Sequence, residues 1–330
     1  RQFVDLCGEG EWFVGTRGGA ADHAAMKLAQ RDAVINVGFL PFVIGEAVPF
    51  PSGYRLVFCN SHIRAQKAAA ARDVFNQRVA CYHIGVHLIR QMYPQYAPLI
   101  HYLRDINVRQ LPVRLVEIYR MLLKLPEWAT ASELSELLPE ELLAPILANH
   151  SGGEALYPIR GVVLFGLAES ERGRLFPQVL RSGDVDALGR MMNTSHDGDR
   201  VVRHDAQWRP SPFRPLSDNA YLLDLMADLE SGEPERVLRA QIHLQPGAYS
   251  CSMPELDLIV DIAQRTEGVA GAQLAGAGLG GGIMALVRED AIPALRERLA
   301  AMYYVPRKLE PAVLACIPIA GSGPLAPDVS

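Results

Sequence analysis

The sequence predicts an α+β fold, in which helices alternate with strands that are joined by hairpins as well as by crossovers. Short apolar runs at 33–37, 42–48 and 55–59 are separated by glycine and proline residues. This pattern predicts three short strands in an antiparallel meander. Later in the chain, a glycine cluster stands between two apolar runs, at 269–274 and 283–287, which predicts a second pair of strands.

The remaining elements follow from helix formers and from apolar periodicity. A last strand is predicted at 312–319, and the proline-rich stretch 204–218 predicts an irregular excursion. Helices are predicted at 22–30, 63–92, 111–124, 131–148, 221–241, 258–263 and 290–304.

The composition narrows the class of protein. The chain has 330 residues, enough for about two ordinary domains, and its 49% hydrophobic content is that of a globular protein. A formal net charge of −5 argues against a general nucleic-acid binder. No apolar run reaches the ~18 residues that a membrane span needs, so no membrane contact is expected.

The cysteines and the first residue carry two further expectations. Five cysteines, with no Cys-x-x-Cys pair, argue against a zinc site or a disulfide framework and favour the reducing cytosol. We therefore expect a cytoplasmic protein. Because the sequence begins with Arg1 instead of Met, we also expect it to be incomplete at the N-terminus.

Asp22 is the first candidate functional residue. It follows the small residues Gly19-Ala-Ala and opens a segment of good helix formers. A carboxylate at a helix N-terminus stays ionised and can accept a proton from a hydroxyl that attacks a phosphoryl group. The alternative is that Asp22 only caps the helix, which is a common role for aspartate.

The glycine cluster Gly276-Ala-Gly-Leu-Gly-Gly281 is the second candidate. Its spacing matches the dinucleotide fingerprint G-x-G-x-x-G, which would indicate a nicotinamide-dependent oxidoreductase. However, a strand follows the glycines where that fingerprint requires a helix. Two interpretations stay open: a loop that lets phosphate or substrate approach the backbone, or a tight hairpin.

Six segments of the chain resemble, in the same order, the motifs of galactokinase-type sugar kinases of the GHMP superfamily. The resemblance implies a GHMP kinase-like two-domain fold, with residues 1–50 as the remainder of the N-terminal domain and 51–330 as the C-terminal domain. The segments are Cys7-Gly-Glu-Gly-Glu-Trp-Phe-Val-Gly15 with Gly19-Ala-Ala-Asp22, Asn60-Ser61, Phe75 with Arg78 and Cys81, Gly189-Arg-Met-Met-Asn-Thr-Ser-His196, Ser252-Met-Pro-Glu-Leu-Asp257, and Ala275-Gly-Ala-Gly-Leu-Gly-Gly281.

The resemblance implies roles for particular residues. Asp22 would be the catalytic carboxylate, facing the anomeric hydroxyl of the sugar, and Gly19 would lie near the sugar ring. Counting from Cys7 makes Glu11 the candidate Mg²⁺ ligand, while counting back from Gly15 leaves Glu9 as a rival. The glycines of the cluster would lie against the substrate pocket and steady the sugar and phosphate side: Gly276, Gly278, Gly280 and Gly281.

The chain also departs from the family pattern. His23 stands where the family has Gln, and Phe75 stands where it has a Tyr that contacts the sugar. Because a lost hydroxyl donor changes discrimination between substrates, Phe75 points to a sugar other than galactose. An insertion at roughly 200–245 either covers the active site or decorates the surface.

The resemblance therefore implies an ATP-dependent phosphotransferase that uses Mg²⁺ and phosphorylates the C1 hydroxyl of galactose, another aldose or a uronic acid. The family's Gly-Glu-His-x-Asp motif and its Gly-Leu-Ser-Ser-Ser phosphate loop are absent from these 330 residues. Since phosphoryl transfer depends on positioning, we expect the chain by itself to be inactive. The alternative is a catalytically silent sugar or ATP sensor that acts through protein partners. The oligomeric state stays open.

A metal site on a predicted helix is a weaker alternative. His83 and His87 are spaced i and i+4, which can place two ligands on one helix face. The sequence offers no third ligand nearby, so packing or solvation is the preferred interpretation.

Overall fold

The computed structural model of the protein describes residues 2–12, 20–39, 41–64, 69–148, 150 and 156–323. Its helices are α1 (Gln2–Trp12), α2 (Ala21–Leu28), α3 (Ala69–Met92), α4 (Leu115–Lys124), α5 (Ala131–Leu137), α6 (Glu140–Leu147), α7 (Ile159–Ser182), α8 (Val185–Asp199), α9 (Asn219–Glu230), α10 (Pro234–Arg239), α11 (Pro254–Gln264) and α12 (Ile292–Leu299). Its strands are β1 (Ala33–Gly38), β2 (Val43–Pro49), β3 (Tyr54–Asn60), β4 (Val202–His204), β5 (Pro210–Pro212), β6 (Val269–Ala275), β7 (Gly282–Arg288) and β8 (Val313–Cys316).

The described strands form one four-stranded antiparallel sheet and two hairpins. The larger sheet has the order β6-β7-β3-β8, while β1 pairs with β2, and β4 with β5. The predicted three-stranded meander is therefore wrong, because β3 pairs with β7 and β8 instead of β2. A turn at 50–53, with Gly53 at φ 75°, carries the chain from one sheet to the other.

Helices cover the larger sheet on both faces. On one face, α11 and α12 enclose an apolar core with side chains of β3 and β7. On the other face, α8 packs against β6, and the contact is close because glycines meet there: Gly189 lies against Ala270 and Gly271. Asn193 of α8 fixes this contact, since its Oδ1 accepts a hydrogen bond from Ala272 N at 2.9 Å.

A second, helical layer holds the largest apolar core. It is built mainly from α3, α4 and α7, to which α9 adds Leu222 and Leu225. The first half of α7 is buried on all sides, and two of its glycines permit close packing: Gly161 against Ala248 and Gly166 against Tyr82. This layer supports α3, on which the predicted sugar-binding residue Phe75 lies.

Several predicted helices have different bounds in the structure. The helix predicted at 63–92 is described from Ala69, and residues 61–64 are not helical. Two predicted helices are each divided in two: 131–148 by Leu138 and Pro139, and 221–241 by a turn at Gly232 with φ 73°. The sequence pattern missed α1, α7 and α8. The excursion predicted at 204–218 begins within the β4–β5 hairpin, whose first strand starts at Val202.

Candidate functional site

The glycine cluster forms the turn of the β6–β7 hairpin. Four of its glycines have positive φ angles, at 89° for Gly276, 78° for Gly278, 134° for Gly280 and 82° for Gly281. An L side chain rarely adopts such angles, so the turn requires glycine at these positions. Antiparallel strands flank the turn on both sides, which excludes the dinucleotide-binding unit, since that unit needs a helix after the glycines.

This glycine turn is bound to two other segments of the resemblance. Leu279 N donates to Cys251 O at 2.8 Å, beside Ser252. Gly281 O accepts hydrogen bonds from Ser61 N at 2.9 Å and from Ser61 Oγ at 2.5 Å. The fold thus brings Ser61 and Cys251, which are about 190 positions apart in the sequence, to the same glycine turn.

Two buried tyrosines hold the end of β3 against the turn. The hydroxyl of Tyr303 donates to Ser61 O and that of Tyr304 to Asn60 O, both at 2.8 Å. Both side chains are fully buried in a π-helical turn at Ala300–Tyr304. Burial raises the pKa of each phenol, so both hydroxyls stay protonated as donors at neutral pH.

Behind the turn lies a buried polar cluster that joins two further motifs. Asp257 is fully buried at the start of α11, and its Oδ1 lies 2.6 Å from Ser252 Oγ and 3.1 Å from His196 Nε2. Its Oδ2 accepts from Val201 N at 2.9 Å and Val202 N at 2.7 Å. The cluster anchors the segment before the glycine turn to α8 and to the excursion.

The ionisation of this cluster follows from competing effects. Burial would raise the pKa of Asp257, but the nearby imidazole of His196 and the hydrogen bond from Ser252 outweigh burial and lower that pKa. Burial lowers the pKa of His196, against the raising effect of Asp257. The carboxyl is therefore ionised and the imidazole neutral at neutral pH.

Asp199 is a site residue that sequence reasoning missed. It ends α8, three positions after His196, and Ser252 N donates to its backbone O at 2.9 Å. Burial, helped by the charge of Glu169, raises the pKa of its carboxyl to about 8. Strongly shifted carboxyl groups are concentrated at functional sites. The sequence offered one signal, an acidic residue three positions after the Ser-His pair.

Among the described residues, no hydrogen bond joins Asp22 to the glycine turn. It is exposed in the first turn of α2, and the N-cap position is Ala20, so the interpretation of Asp22 as the cap is wrong. The C-terminal half of α2 is bound to residues 320–322, through Met26 O, which accepts from Ser322 N, and Ala29 O, which accepts from Gly321 N, both at 2.7 Å.

The other predicted site residues are only partly described. Phe75 is half-buried on α3, and Glu9 is exposed on α1. Gly19 and the side chain of Glu11 lie outside the described residues. Across the described ranges, no group of three or more His, Cys, Asp or Glu side chains is arranged to hold a metal ion. Nor does any helix in those ranges have the length and apolar character that crossing a membrane requires.

Comparison with known proteins shows which family the chain resembles. Residues 217–305 match the family model described as "GHMP kinases C terminal". A galactokinase from Roseiflexus sp. (strain RS-1) is 24% identical over 292 residues, which are 88% of this chain and 51% of that relative. The chain thus spans about half the length of that curated relative.

A solved structure agrees with this assignment at the level of the fold. The crystal structure of Lactococcus lactis galactokinase complexed with galactose matches with a TM-score of 0.57 and 18% identity, over 98% of this chain and 60% of that one. The α+β, GHMP kinase-like fold is confirmed. Residues 217–305 are thus similar to the C-terminal part of GHMP kinases, and the resemblance of the chain to galactokinase-type kinases of the GHMP superfamily is confirmed.

Proposed function

We propose that this chain belongs to an ATP-dependent sugar kinase that phosphorylates the C1 hydroxyl of galactose or of a related aldose or uronic acid. The observation that carries the proposal is the convergence at the glycine turn. Ser61 and Gly281 lie in two separate motifs of the resemblance and Cys251 directly precedes a third, and hydrogen bonds of 2.5 to 2.9 Å join these segments at the turn. The similarity to galactokinases supports the choice of sugar class.

Asp22 is the proposed catalytic residue. Its exposed carboxylate stands in the first turn of α2, where the helix dipole favours a negative charge. There it would orient the C1 hydroxyl and accept its proton as the hydroxyl attacks the γ-phosphoryl group of ATP. Gly19 and Phe75 would contact the sugar.

The nucleotide and metal roles belong to the same proposal. The glycines of the turn expose backbone to the sugar and phosphate side of the pocket, and Glu11, or its rival Glu9, would bind Mg²⁺. The described residues do not by themselves form a magnesium site. Mg²⁺, when bound, offsets charge on the phosphates.

The division into residues 1–50 and 51–330 is also a proposal. It is supported by the strand pairing, because β1 and β2 form their own sheet and β3 begins the larger one. The phosphate-loop motif Gly-Leu-Ser-Ser-Ser is absent from these 330 residues. We therefore propose that these residues alone transfer phosphate slowly or not at all.

The test is a kinase assay on the protein expressed with any coding sequence that precedes Arg1. The substrates are a panel of aldoses and uronic acids with MgATP. We expect turnover on one sugar, and a loss of at least about 100-fold in kcat for Asp22→Ala, as for removal of a catalytic base. Asp224→Ala, an exposed carboxylate on α9, is the matched control and should keep wild-type activity.

Two outcomes would contradict the proposal. Turnover that survives in Asp22→Ala would refute the assigned base. Binding of sugar or ATP without turnover on any substrate would favour a sensor over an enzyme.

A further inference from the structure

A cleft of about 620 Å³ lies between the excursion and the helical layer. One wall is the segment 212–218, which follows the β4–β5 hairpin, and the facing wall contains Trp128. Arg78 of α3 and Ser250 form part of the lining between these walls. We name it the Trp128 cleft.

The Trp128 cleft presents aromatic surface beside polar groups. The side chain of Trp128 is 50% exposed, although an indole of this size is normally well buried. Phe213 lines the cleft, and the guanidinium of Arg203 lies 4.2 Å from its ring centroid, which holds the ring in place. A pyranose ring has an apolar C–H face and a rim of hydroxyl groups. It therefore matches a surface that combines a flat aromatic face with hydrogen-bonding groups.

Of the four described charged side chains that line the cleft, three are engaged by the protein itself, and Arg214 is exposed beside them. Glu127 Oε1 accepts from the buried Arg160 at 2.9 Å, and Asp218 caps α9 by accepting from Tyr221 N at 2.8 Å. Arg78 Nε donates to Tyr249 O at 2.7 Å. A site for a strongly anionic ligand would need several cations aimed into the cleft. Because few of the described cations are free to face the cleft, its charge favours a neutral, hydroxyl-rich ligand.

The position of the cleft connects it with the proposed sugar pocket. Arg78 follows Phe75 by three residues, so the two side chains share a face of α3. Ser250 directly precedes Cys251, whose carbonyl accepts the hydrogen bond from Leu279 of the glycine turn at 2.8 Å. The excursion wall up to residue 216 precedes the matched range 217–305, so the family model does not account for it.

We propose that the Trp128 cleft binds a second pyranose ring, so that the protein takes a reducing disaccharide. The ring with the free C1 hydroxyl lies in the sugar pocket, and the other ring stacks on Trp128. The chemistry is unchanged, because a reducing disaccharide keeps its free anomeric hydroxyl. The placement of the first ring rests on the proposed function, whereas saccharide binding at Trp128 does not require phosphoryl transfer.

The test measures saccharide binding to the full chain by saturation-transfer NMR and by titration of tryptophan fluorescence. The probes are lactose, cellobiose and maltose, with galactose and glucose as monosaccharides and inorganic phosphate as an anion. We expect one disaccharide to bind about tenfold tighter than either monosaccharide, as one additional aromatic stacking contact would give. Trp128→Ala should abolish that preference and leave monosaccharide binding unchanged.

Trp208→Phe is the matched control, because Trp208 stacks on Arg265 away from the cleft. It should keep the disaccharide preference. Arg214→Ala, at an exposed cleft position, is a second cleft variant that spares the core, and it should weaken disaccharide binding without affecting monosaccharides.

Three results would overturn the inference: equal affinity for mono- and disaccharides, an undiminished preference in Trp128→Ala, or binding of phosphate alone. The inference and the proposed function can fail separately. If the protein phosphorylates monosaccharides but shows no preference for disaccharides, only the proposal for the Trp128 cleft is refuted. If the complete protein binds disaccharides through Trp128 but transfers no phosphate, only the proposed kinase function is refuted.

Discussion

Replacing Asp257 with alanine should be among the most destabilising single changes in this chain. The carboxylate is fully buried and is the acceptor for the backbone N–H groups of Val201 and Val202 and for the hydroxyl of Ser252. His196 Nε2 lies 3.1 Å from it. Alanine would leave these groups facing an apolar methyl in a space closed to water.

The expected loss in the free energy of unfolding follows from the groups that Asp257 contacts. A buried donor without an acceptor costs about 1–3 kcal/mol, and alanine would leave the N–H groups of Val201 and Val202 and the hydroxyl of Ser252 without their acceptor. Because the variant no longer has to desolvate a carboxylate, the penalties do not simply add, and we expect a loss of about 3–5 kcal/mol in the free energy of unfolding. Asp257→Asn keeps an oxygen for both N–H groups and should lose only about 1–2 kcal/mol.

The pH dependence gives a second check on Asp257. Its folded pKa is lower than its ordinary value, so its stabilising contribution is complete above about pH 4 and is lost as pH falls through the folded pKa. The difference in stability between wild type and Asp257→Asn should therefore narrow in acid.

The assay is urea denaturation of the full chain at pH 7, followed by far-UV circular dichroism, with unchanged m-values as the test of comparability. Asp224→Ala on the exposed face of α9 should shift the free energy of unfolding by less than about 0.5 kcal/mol. A loss below about 1 kcal/mol for Asp257→Ala would refute the reasoning, because ordinary surface variants come close to that. Equal losses for alanine and asparagine would show that charge, and not acceptor geometry, dominates.

Two further predictions concern the same region. The folded pKa of Asp199 is about 8, so wild-type stability should fall as pH rises from about 4 to 8, and Asp199→Asn should melt higher than wild type at pH 8 but not at pH 4. Thermal denaturation at both pH values measures this, and exposed Asp186→Asn on the same helix should show no such crossover. Gly278→Ala should cost at least about 2 kcal/mol, because φ is 78° and the new Cβ would meet a backbone carbonyl. Gly276→Ala, with φ 89° and no atom within 4 Å of the new Cβ, should cost only the backbone strain of about 1–2 kcal/mol, and denaturation curves of the two variants separate these effects.

The sequence predicted the strands correctly where a short apolar run is bounded by glycine or proline. It could not predict the partners of β3, because Leu56 pairs with Leu286 on one side and with Cys316 on the other. Such pairings bring together residues more than 200 positions apart, and nothing in a local apolar run specifies them. The local pattern predicted that consecutive strands pair with one another, whereas in the structure β3 pairs with strands that are distant in the sequence.

The failure to predict α7 has a different cause. Apart from the buried Arg160, its first half is apolar on every side, and it includes Gly161 and Gly166, both unfavourable in an isolated helix. An amphipathic period is absent because the helix is buried all round. The glycines serve close packing, against Ala248 and Tyr82, which only the assembled fold reveals.

The candidate site divides in the same way. Ser252 and Asp257 belong to one motif of the resemblance and His196 to another, and the sequence did not show that these motifs meet. The glycine turn, in contrast, was predicted from the glycine spacing in the sequence. Asp199 was not expected, because the shift of its pKa comes from burial and from Glu169, thirty residues earlier on α7. The sequence gives the residue types, but the burial and the neighbouring charges that shift a pKa depend on the folded structure.

Backbone strain marks the glycine turn independently of any resemblance. Of the six described non-glycine residues with positive φ, three surround it: His62 at 60°, Ser250 at 54° and Leu279 at 59°. Each such residue costs about 1–2 kcal/mol and persists only where its surroundings hold it. Here hydrogen bonds do so, from His62 N to Asn60 Oδ1 at 2.9 Å and from Leu279 N to Cys251 O at 2.8 Å. Since strain of this kind clusters where chains bind ligands, it supports the proposal that the substrate lies against this turn.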